Sequence, residues 1–278
     1  MSTASLRADL ERLRHRRRGG EDVPADPVEF ARLVGMEPDP WQREVLASEA
    51  PRILLNICRQ AGKSTVSGIL ALHRALTVPG SLVLCLAPSE RQSKELFAKV
   101  ARSYSALGYG QRTQGNPGSY ADSERKLGMV IANGSRIEAL PGSEKTIRGF
   151  SGVDLLVVDE ASRIDDGLFY AVSPMLAVTG GRMVLLSTPY GKRGVFHHEW
   201  VEGIGWERYE VPATECPRIP AAFLESERRS MPEWWFAQEY LCEFRETSDQ
   251  IFGHDMIEAA RDDGLPEYRF EGDENLWT

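Results

Sequence analysis

The chain has 278 residues, of which 42% are hydrophobic and 27% charged, values typical of a globular protein with room for one large α/β domain and a small appendage. It contains no run of about 18 apolar residues, so we expect no membrane span, and its N-terminus lacks the apolar stretch of a signal peptide. The net charge of -8 points away from a dedicated DNA-binding module, although a local basic patch can still contact DNA. The four scattered cysteines argue against a disulfide framework and a zinc site.

The first 25 residues are rich in charge and contain glycine and proline breakers, which predicts a flexible basic segment. Two interpretations of its arginines stay open: a solvated tail, or a contact with nucleic acid or a partner. The arginines concerned are Arg12, Arg14, Arg16, Arg17 and Arg18.

Strand and helix patterns then alternate along the chain. Buried strands are predicted at 53–57, 81–87, 154–158 and 183–187, an edge strand at 206–211, a hairpin over 129–139 that turns at Asn133-Gly134, and helices at 40–47, at 63–76 and from Ser89. This order indicates a mostly parallel central sheet flanked by helices, with a small C-terminal helical subdomain from Pro220. We therefore predict a flexible segment 1–25, an α/β core 26–215, a helical subdomain 216–250 and a linker 251–278.

A phosphate-binding loop is predicted between the first strand and the helix at 63–76. Gly62 allows a close backbone approach, Lys63 carries charge for the β- and γ-phosphates, and the Ser64 hydroxyl can ligate Mg²⁺. The usual first glycine of such a loop is replaced by Ile57. The candidate nucleotide-binding residues are Arg59, Gln60, Ala61, Gly62, Lys63, Ser64 and Thr65.

Two acids, Asp159 and Glu160, directly follow the apolar strand at 155–158. Carboxylates at the C-terminal end of a parallel strand lie at the ligand-binding edge of the sheet. Asp159 is the candidate metal ligand together with Ser64, and Glu160 is the candidate general base. We expect the P-loop and the two acids to converge across adjoining strand ends on one magnesium–triphosphate; the alternative is an acidic pair that caps the next helix.

A polar turn, Ser187-Thr188-Pro189, ends the next strand and could sense the γ-phosphate and couple its loss to movement; an ordinary helix cap is the alternative. With a strand and helix between the P-loop and the acids, this order suits the additional-strand, catalytic-glutamate, RecA-like class of P-loop NTPases. ATP and Mg²⁺ are the implied cofactors.

Four further residues are candidates for the same site. Trp41 could stack on a base and Gln42 could read the adenine edge, whereas a core position is the alternative for Trp41. Arg148, in a glycine-flanked loop, could supply catalytic positive charge to the γ-phosphate, with a plain surface arginine as the alternative. Arg59 is its rival for that role.

These motifs together resemble the large terminase subunit of tailed bacteriophages. The motifs that carry the resemblance are Trp41-Gln42, the loop from Cys58 to Thr65 with its internal Arg-Gln, Ile147-Arg148-Gly149, Val157 to Ala161, and Ser187 to Gly191. The resemblance covers about 30–255 and implies an ATP-driven motor that moves double-stranded DNA into a procapsid in the host cytoplasm. It also implies that Lys63, Arg148 and Glu160 are catalytic, with Arg148 acting in trans.

The family's ATPase domain is followed by a metal-dependent nuclease domain of the RNase H type. We expect these 278 residues to hold the ATPase domain alone and to lack nuclease activity, because Asp255, Asp262 and Asp263 do not form a strand-borne acidic cluster. The resemblance further implies a portal protein and a small terminase subunit as partners. It implies a homo-oligomeric ring, pentameric where characterised, although the isolated domain can be monomeric.

DNA would be gripped through its phosphates without reading of the base sequence. The candidate contacts are basic residues of the irregular middle region, for which plain solvated charge is the alternative: Arg112, Arg125, Lys126 and Arg136.

Two other functions compete with that of a packaging motor. A helicase-like translocase would need a second RecA-like domain, for which too few residues follow Gly191, and a non-hydrolysing DNA clamp would not need Glu160.

Overall fold

A computed structural model describes residues 23–107, 121–122, 126–142, 147, 149–246 and 260. The described helices are α1 (Pro27–Leu33), α2 (Pro40–Ala47), α3 (Lys63–Thr77), α4 (Glu90–Ala106), α5 (Asp166–Val172), α6 (Gly194–Val201), α7 (Ala221–Ser230) and α8 (Glu233–Leu241). The strands are β1 (Arg52–Ile57), β2 (Leu82–Ala87), β3 (Ala121–Asp122), β4 (Lys126–Val130), β5 (Arg136–Pro141), β6 (Leu155–Asp159), β7 (Arg182–Ser187) and β8 (Glu207–Val211). None of the helices in these ranges combines the length and apolar character needed to cross a bilayer.

The described strands form one sheet in the order β3-β4-β5-β2-β6-β7-β1-β8. The strands in the order β5-β2-β6-β7-β1-β8 pair in parallel, whereas β4 pairs antiparallel with both β3 and β5 at one side of the sheet. The parallel strands therefore end at a common edge, where ligands bind in open α/β sheets. This confirms the predicted mostly parallel α/β architecture.

Helices cover both faces of the sheet, and successive side chains of each strand point to opposite faces, so both sets of side chains are buried. In β1, Ile53, Leu55 and Ile57 join the core cluster on the face of α3 and α4, whereas Leu54 joins the cluster on the face of α5 and α6. Strands buried on both faces read as continuous apolar runs, which is the pattern by which they were predicted.

One expectation about the sheet is wrong. The strand that bears the P-loop and the strand that bears the acids do not adjoin, because β7 pairs in parallel with both β1 and β6 and lies between them. Ser187, at the end of β7, therefore sits between the P-loop and the acids. The predicted hairpin is present, since β4 and β5 pair antiparallel around a turn at Asn133-Gly134, and β8 is the predicted edge strand.

Candidate functional site

The P-loop follows β1 and bends sharply before α3 begins. Gln60 has φ +63° and Gly62 has φ +91°, both in the left-handed region. A side chain at Gly62 would also place its Cβ 2.9 Å from Nε2 of Gln42, so this position requires glycine. The amides of Thr65 and Val66 both donate to the Gly62 carbonyl, which starts α3 with its N-terminal dipole facing the loop. The arrangement presents backbone N–H groups to an anion.

Lys63 is folded back over the loop that precedes it. Its Nζ donates to the carbonyls of Ile57 at 3.0 Å and Cys58 at 3.1 Å, and the residue is only 7% exposed. A lysine ammonium in this position holds the loop closed and places a buried positive charge at its centre. The substitution of the usual first glycine by Ile57 does not disturb this contact, because Lys63 uses the carbonyl of that residue.

Asp159 ends β6 and is buried beside the P-loop. Burial and the neighbouring Glu160 raise the pKa of its carboxyl, while the nearby Ser64 side chain and the charges of Lys63 and Lys99 act in the opposite direction. The two predicted metal ligands, Ser64 and Asp159, thus lie close enough to influence each other. A hydroxyl beside a poorly solvated carboxylate is a donor set that suits a hard divalent cation.

Among the described residues, no group of three or more histidine, cysteine or acidic side chains is arranged to hold a metal.

Glu160 has a left-handed backbone, φ +52°, and precedes the short turn at 161–163. The Ser187 Oγ lies 3.4 Å from its Oε2. Ser162, which sequence reasoning missed, contacts Ser187 Oγ at 2.7 Å and donates to the carbonyl of Thr188 at 2.8 Å. Side-chain contacts thus join the turn that carries Glu160 to the predicted coupling turn, Ser187-Thr188-Pro189. Pro189 is buried.

Trp41 and Gln42 lie beneath the P-loop. Trp41 is 7% exposed and belongs to the core cluster, as in the alternative interpretation of this residue as a core side chain. Gln42 is fully buried and uses both ends of its amide, since its oxygen accepts from the Asp39 N–H at 2.8 Å and its nitrogen donates to the Ala61 carbonyl at 3.2 Å. In this structure Gln42 therefore stabilises the P-loop through the carbonyl of Ala61.

Arg218 is a second residue that the sequence pattern did not reveal. Its Nη2 donates to the same Ala61 carbonyl at 2.5 Å and lies 2.8 Å from the carboxylate of Asp39. The segment after β8 is thereby tied to the P-loop and to the start of α2. No motif marks Arg218, and its partners lie far away along the chain.

Arg59 turns towards the C-terminal helix α8. Its Nε is 2.6 Å from Oε2 of Glu239, and its backbone N–H donates to the Glu239 carbonyl at 3.1 Å. Glu239 was not predicted as a site residue, because it stands in an aromatic helix pattern that carries no motif. Arg148, the other candidate arginine, lies outside the described residues.

Of the candidate DNA-binding residues, Arg112 and Arg125 lie outside the described residues. Lys126 begins β4 and Arg136 begins β5, and these strands run antiparallel. The two residues therefore lie at opposite ends of this strand pair. Arg136 is exposed at the end away from the P-loop. The structure does not bring these two residues together.

Comparison with known proteins places these observations in a family. Residues 54–259 match the model of the terminase large subunit, T4likevirus-type, N-terminal. The terminase large subunit of Thermus virus P23-45 is 25% identical over 268 residues, covering 84% of this chain and 54% of that protein. This chain thus spans about half the length of the curated terminases it matches.

Solved structures agree in fold. The ATPase domain of the large terminase of Thermus phage P74-26 matches with a TM-score of 0.63 at 22% identity, covering 78% of this chain and 98% of that one. The large terminase of a thermophilic bacteriophage, in complex with ADP, matches with a TM-score of 0.59 at 13% identity, covering 79% of this chain and 53% of that one. Because the family model matches well over half of the residues, the chain belongs to the T4likevirus-type terminase large subunit family and corresponds to its N-terminal region.

Proposed function

We propose that this chain is the ATP-hydrolysing motor domain of a terminase and drives double-stranded DNA into a viral procapsid. The observation that carries the proposal is that the P-loop, with the buried Lys63, and the buried Asp159 lie at the C-terminal ends of two parallel strands, β1 and β6, that both pair with β7. A phosphate cradle and a buried carboxylate that meet at one sheet edge suit a metal-bound triphosphate. The ADP complex of the thermophilic bacteriophage terminase supports nucleotide binding at this fold.

The backbone N–H groups of residues 59–65 would hold the phosphates, and Lys63 would neutralise their β- and γ-oxygens from its position over the loop. Ser64 and Asp159 would hold Mg²⁺, which when bound neutralises charge on those phosphate oxygens. Glu160 would accept a proton from the attacking water, and its carboxylate faces the Ser187 hydroxyl at 3.4 Å. Ser187, Thr188 and Pro189 would then report the loss of the γ-phosphate to the rest of the domain.

Arg148 would act in trans. In a homo-oligomeric ring, each subunit would place its Arg148 at the nucleotide site of a neighbouring subunit. Arg59 is the weaker candidate for contact with the γ-phosphate, because its guanidinium pairs with Glu239 in this structure. DNA would be held through its phosphates, with Arg112, Arg125, Lys126 and Arg136 as candidate contacts and the portal protein and small subunit as partners. The motor would act in the host cytoplasm. We also propose that the chain divides into the segments 1–25, 26–215, 216–250 and 251–278.

Steady-state phosphate release tests hydrolysis directly. Glu160→Gln is expected to lower kcat by about 100-fold or more while nucleotide still binds, since general-base catalysis contributes roughly 10²–10⁴-fold. Glu202→Gln, at the exposed end of α6, removes an acid of equal charge away from the site and should turn over like the wild type. Wild-type turnover no faster than that of Glu160→Gln would refute the enzymatic proposal.

A mixing experiment tests the shared site. Arg148→Ala subunits and Glu160→Gln subunits are combined under conditions in which the ring assembles. Each variant alone is expected to be nearly inactive, and a mixed ring contains interfaces where an intact Arg148 meets an intact Glu160. Recovery of phosphate release supports action in trans, and no recovery in a verified assembly contradicts it.

A further inference from the structure

Two polar side chains from outside the P-loop meet at Ala61-Gly62. A Cβ added at Gly62 would lie 2.9 Å from Nε2 of Gln42 and 3.2 Å from Nη2 of Arg218, so both side chains flank the same point of the loop. Both also donate to one acceptor, the carbonyl of Ala61, at 3.2 Å from Gln42 and 2.5 Å from Arg218. Gln42 and Arg218 are therefore neighbouring donors on one side of the P-loop.

The two donors differ in their access to solvent. Gln42 is fully buried, and the two ends of its amide are engaged by the Asp39 N–H and the Ala61 carbonyl. The Arg218 side chain is 47% exposed. A base can reach the amide of Gln42 only if that buried group gives up both partners, whereas Arg218 is already open to a ligand.

Arg218 is held at one corner of its guanidinium. Nη2, which donates to Ala61, also lies 2.8 Å from Oδ2 of Asp39, an acid whose side chain is only 16% exposed. A planar guanidinium fixed at one corner can stack on the face of a ring. Stacking tolerates any base, because every base has a π face, whereas reading adenine requires hydrogen bonds to its edge.

The strand order places Arg218 on the nucleoside side of the site. Glu160 and Ser187, which face the γ-phosphate in the proposed mechanism, stand at the ends of β6 and β7, on one side of the P-loop strand β1. Strand β8 pairs with the other side of β1, and Arg218 lies in the segment that follows β8. A triphosphate with its γ end towards β6 therefore extends its nucleoside towards the segment of Arg218.

We propose that Arg218 contacts the base of the bound nucleotide by stacking, and that the site accepts purine nucleoside triphosphates without reading adenine. This inference rests on the proposed nucleotide-binding function and narrows its substrate class. Trp41 does not compete for the role, because its ring is 7% exposed within the core cluster. Selection then rests on the triphosphate, which the P-loop amides and Lys63 recognise whatever base is attached.

Isothermal titration of the whole chain in the presence of Mg²⁺ tests the proposal with three probes: ATPγS, GTPγS and inorganic tripolyphosphate, which has no base. The two nucleotides are expected to bind with affinities within about fivefold of each other, since a stacked base is not read at its edge. Both should bind about threefold or more tighter than tripolyphosphate, the contribution of a cation stacked on a ring at a partly exposed site. A larger preference for ATPγS or GTPγS overturns the proposal, as does tripolyphosphate binding as tight as that of the nucleotides.

Arg218→Lys separates stacking from charge, because lysine keeps the positive charge but has no planar face. It is expected to weaken ATPγS and GTPγS alike by about threefold or more and to leave tripolyphosphate within about twofold of the wild type. Arg229→Lys is the matched control, because Arg229 pairs with Glu225 on the surface of α7, and all three affinities should be unchanged.

Unchanged nucleotide binding by Arg218→Lys overturns the proposal, because charge alone would then account for Arg218. An equal loss for tripolyphosphate also overturns it, since Arg218 would only support the loop, and so does a loss confined to one of the two nucleotides. If Arg218→Lys does not fold, the comparison of the three probes on the wild type decides. A wild type that binds none of the three would instead refute the proposed function.

Discussion

The Ser187 hydroxyl lies 3.4 Å from Oε2 of Glu160, so the end of β7 touches the side chain that follows β6. The contact arises because β7 is inserted between the P-loop strand and the acid strand. Ser162 contacts the Ser187 hydroxyl and donates to the carbonyl of Thr188, so the general-base candidate and the coupling turn lie in one cluster of polar contacts. A movement of either turn would change the position of the Glu160 carboxylate.

Ser187→Ala should therefore slow hydrolysis without preventing nucleotide binding. Loss of the hydroxyl leaves the Glu160 carboxylate without this partner, and we expect kcat to fall by about tenfold, a fraction of what a positioned general base contributes, while KM stays within about twofold. Steady-state phosphate release at varied ATP concentration separates the two parameters. Ser162→Ala, which removes a hydroxyl one contact further from Glu160, should have a smaller effect. A raised KM with unchanged kcat would contradict the assigned role.

Gly62→Ala should destabilise the chain and disable the P-loop. The substitution carries two penalties, a left-handed φ of +91° and a Cβ 2.9 Å from Gln42 Nε2, and we expect a cost above about 1 kcal/mol in unfolding free energy. Gly80→Ala is the matched control, because its φ of +75° is also left-handed but nothing lies within 4 Å of the added Cβ. Thermal unfolding of both variants isolates the steric part. Equal losses of stability would show that the contact with Gln42 does not matter.

Lys63→Ala should affect the loop even without nucleotide. It removes both hydrogen bonds from Nζ to the buried carbonyls of Ile57 and Cys58, at a cost of about 1–3 kcal/mol. Lys94→Ala, which removes an exposed lysine paired with Glu90 on α4, should change stability by about 0.5 kcal/mol or less. Melting curves with and without Mg²⁺–ATP are the measurement, and the Lys63 variant should show no stabilisation by nucleotide. A nucleotide-induced shift equal to that of the wild type would refute its proposed role.

The strands and the two phosphate-site motifs were predictable because their signals are local. A buried parallel strand reads as an apolar run, and the acids that follow β6 are adjacent in sequence. Gln42 was predicted only as a reader of the adenine edge; the capping-box spacing of Asp39 and Gln42, which the structure contains, was an unused signal for its contact with the start of α2. What it could not show was that the same amide reaches Ala61.

Glu239, Arg218 and Arg163 were not predictable for a different reason. Each acts across a tertiary contact with a residue far away along the chain, and a single sequence gives no sign of such pairs. A buried glutamate in an aromatic helix reads as a solvent-facing acid until the fold brings two arginines to it. The position of β7 was missed for the same reason, because strand order depends on crossovers and not on the strand pattern.

Asp159→Asn is expected to stabilise the nucleotide-free chain while abolishing its response to Mg²⁺–ATP. Burial and Glu160 raise the pKa of Asp159, so the folded state binds this proton more tightly than the unfolded state does. The stability contributed by the protonated carboxyl is present at low pH and is lost as the pH rises through the raised pKa, which leaves a buried charge that costs free energy at neutral pH. A neutral asparagine avoids that cost, and we expect a gain of up to about 1 kcal/mol at pH 8 that shrinks towards pH 5. Thermal unfolding at both pH values, without nucleotide, measures the difference. A variant less stable than the wild type at pH 8 would show that the nearby Ser64 side chain and the two lysines outweigh desolvation.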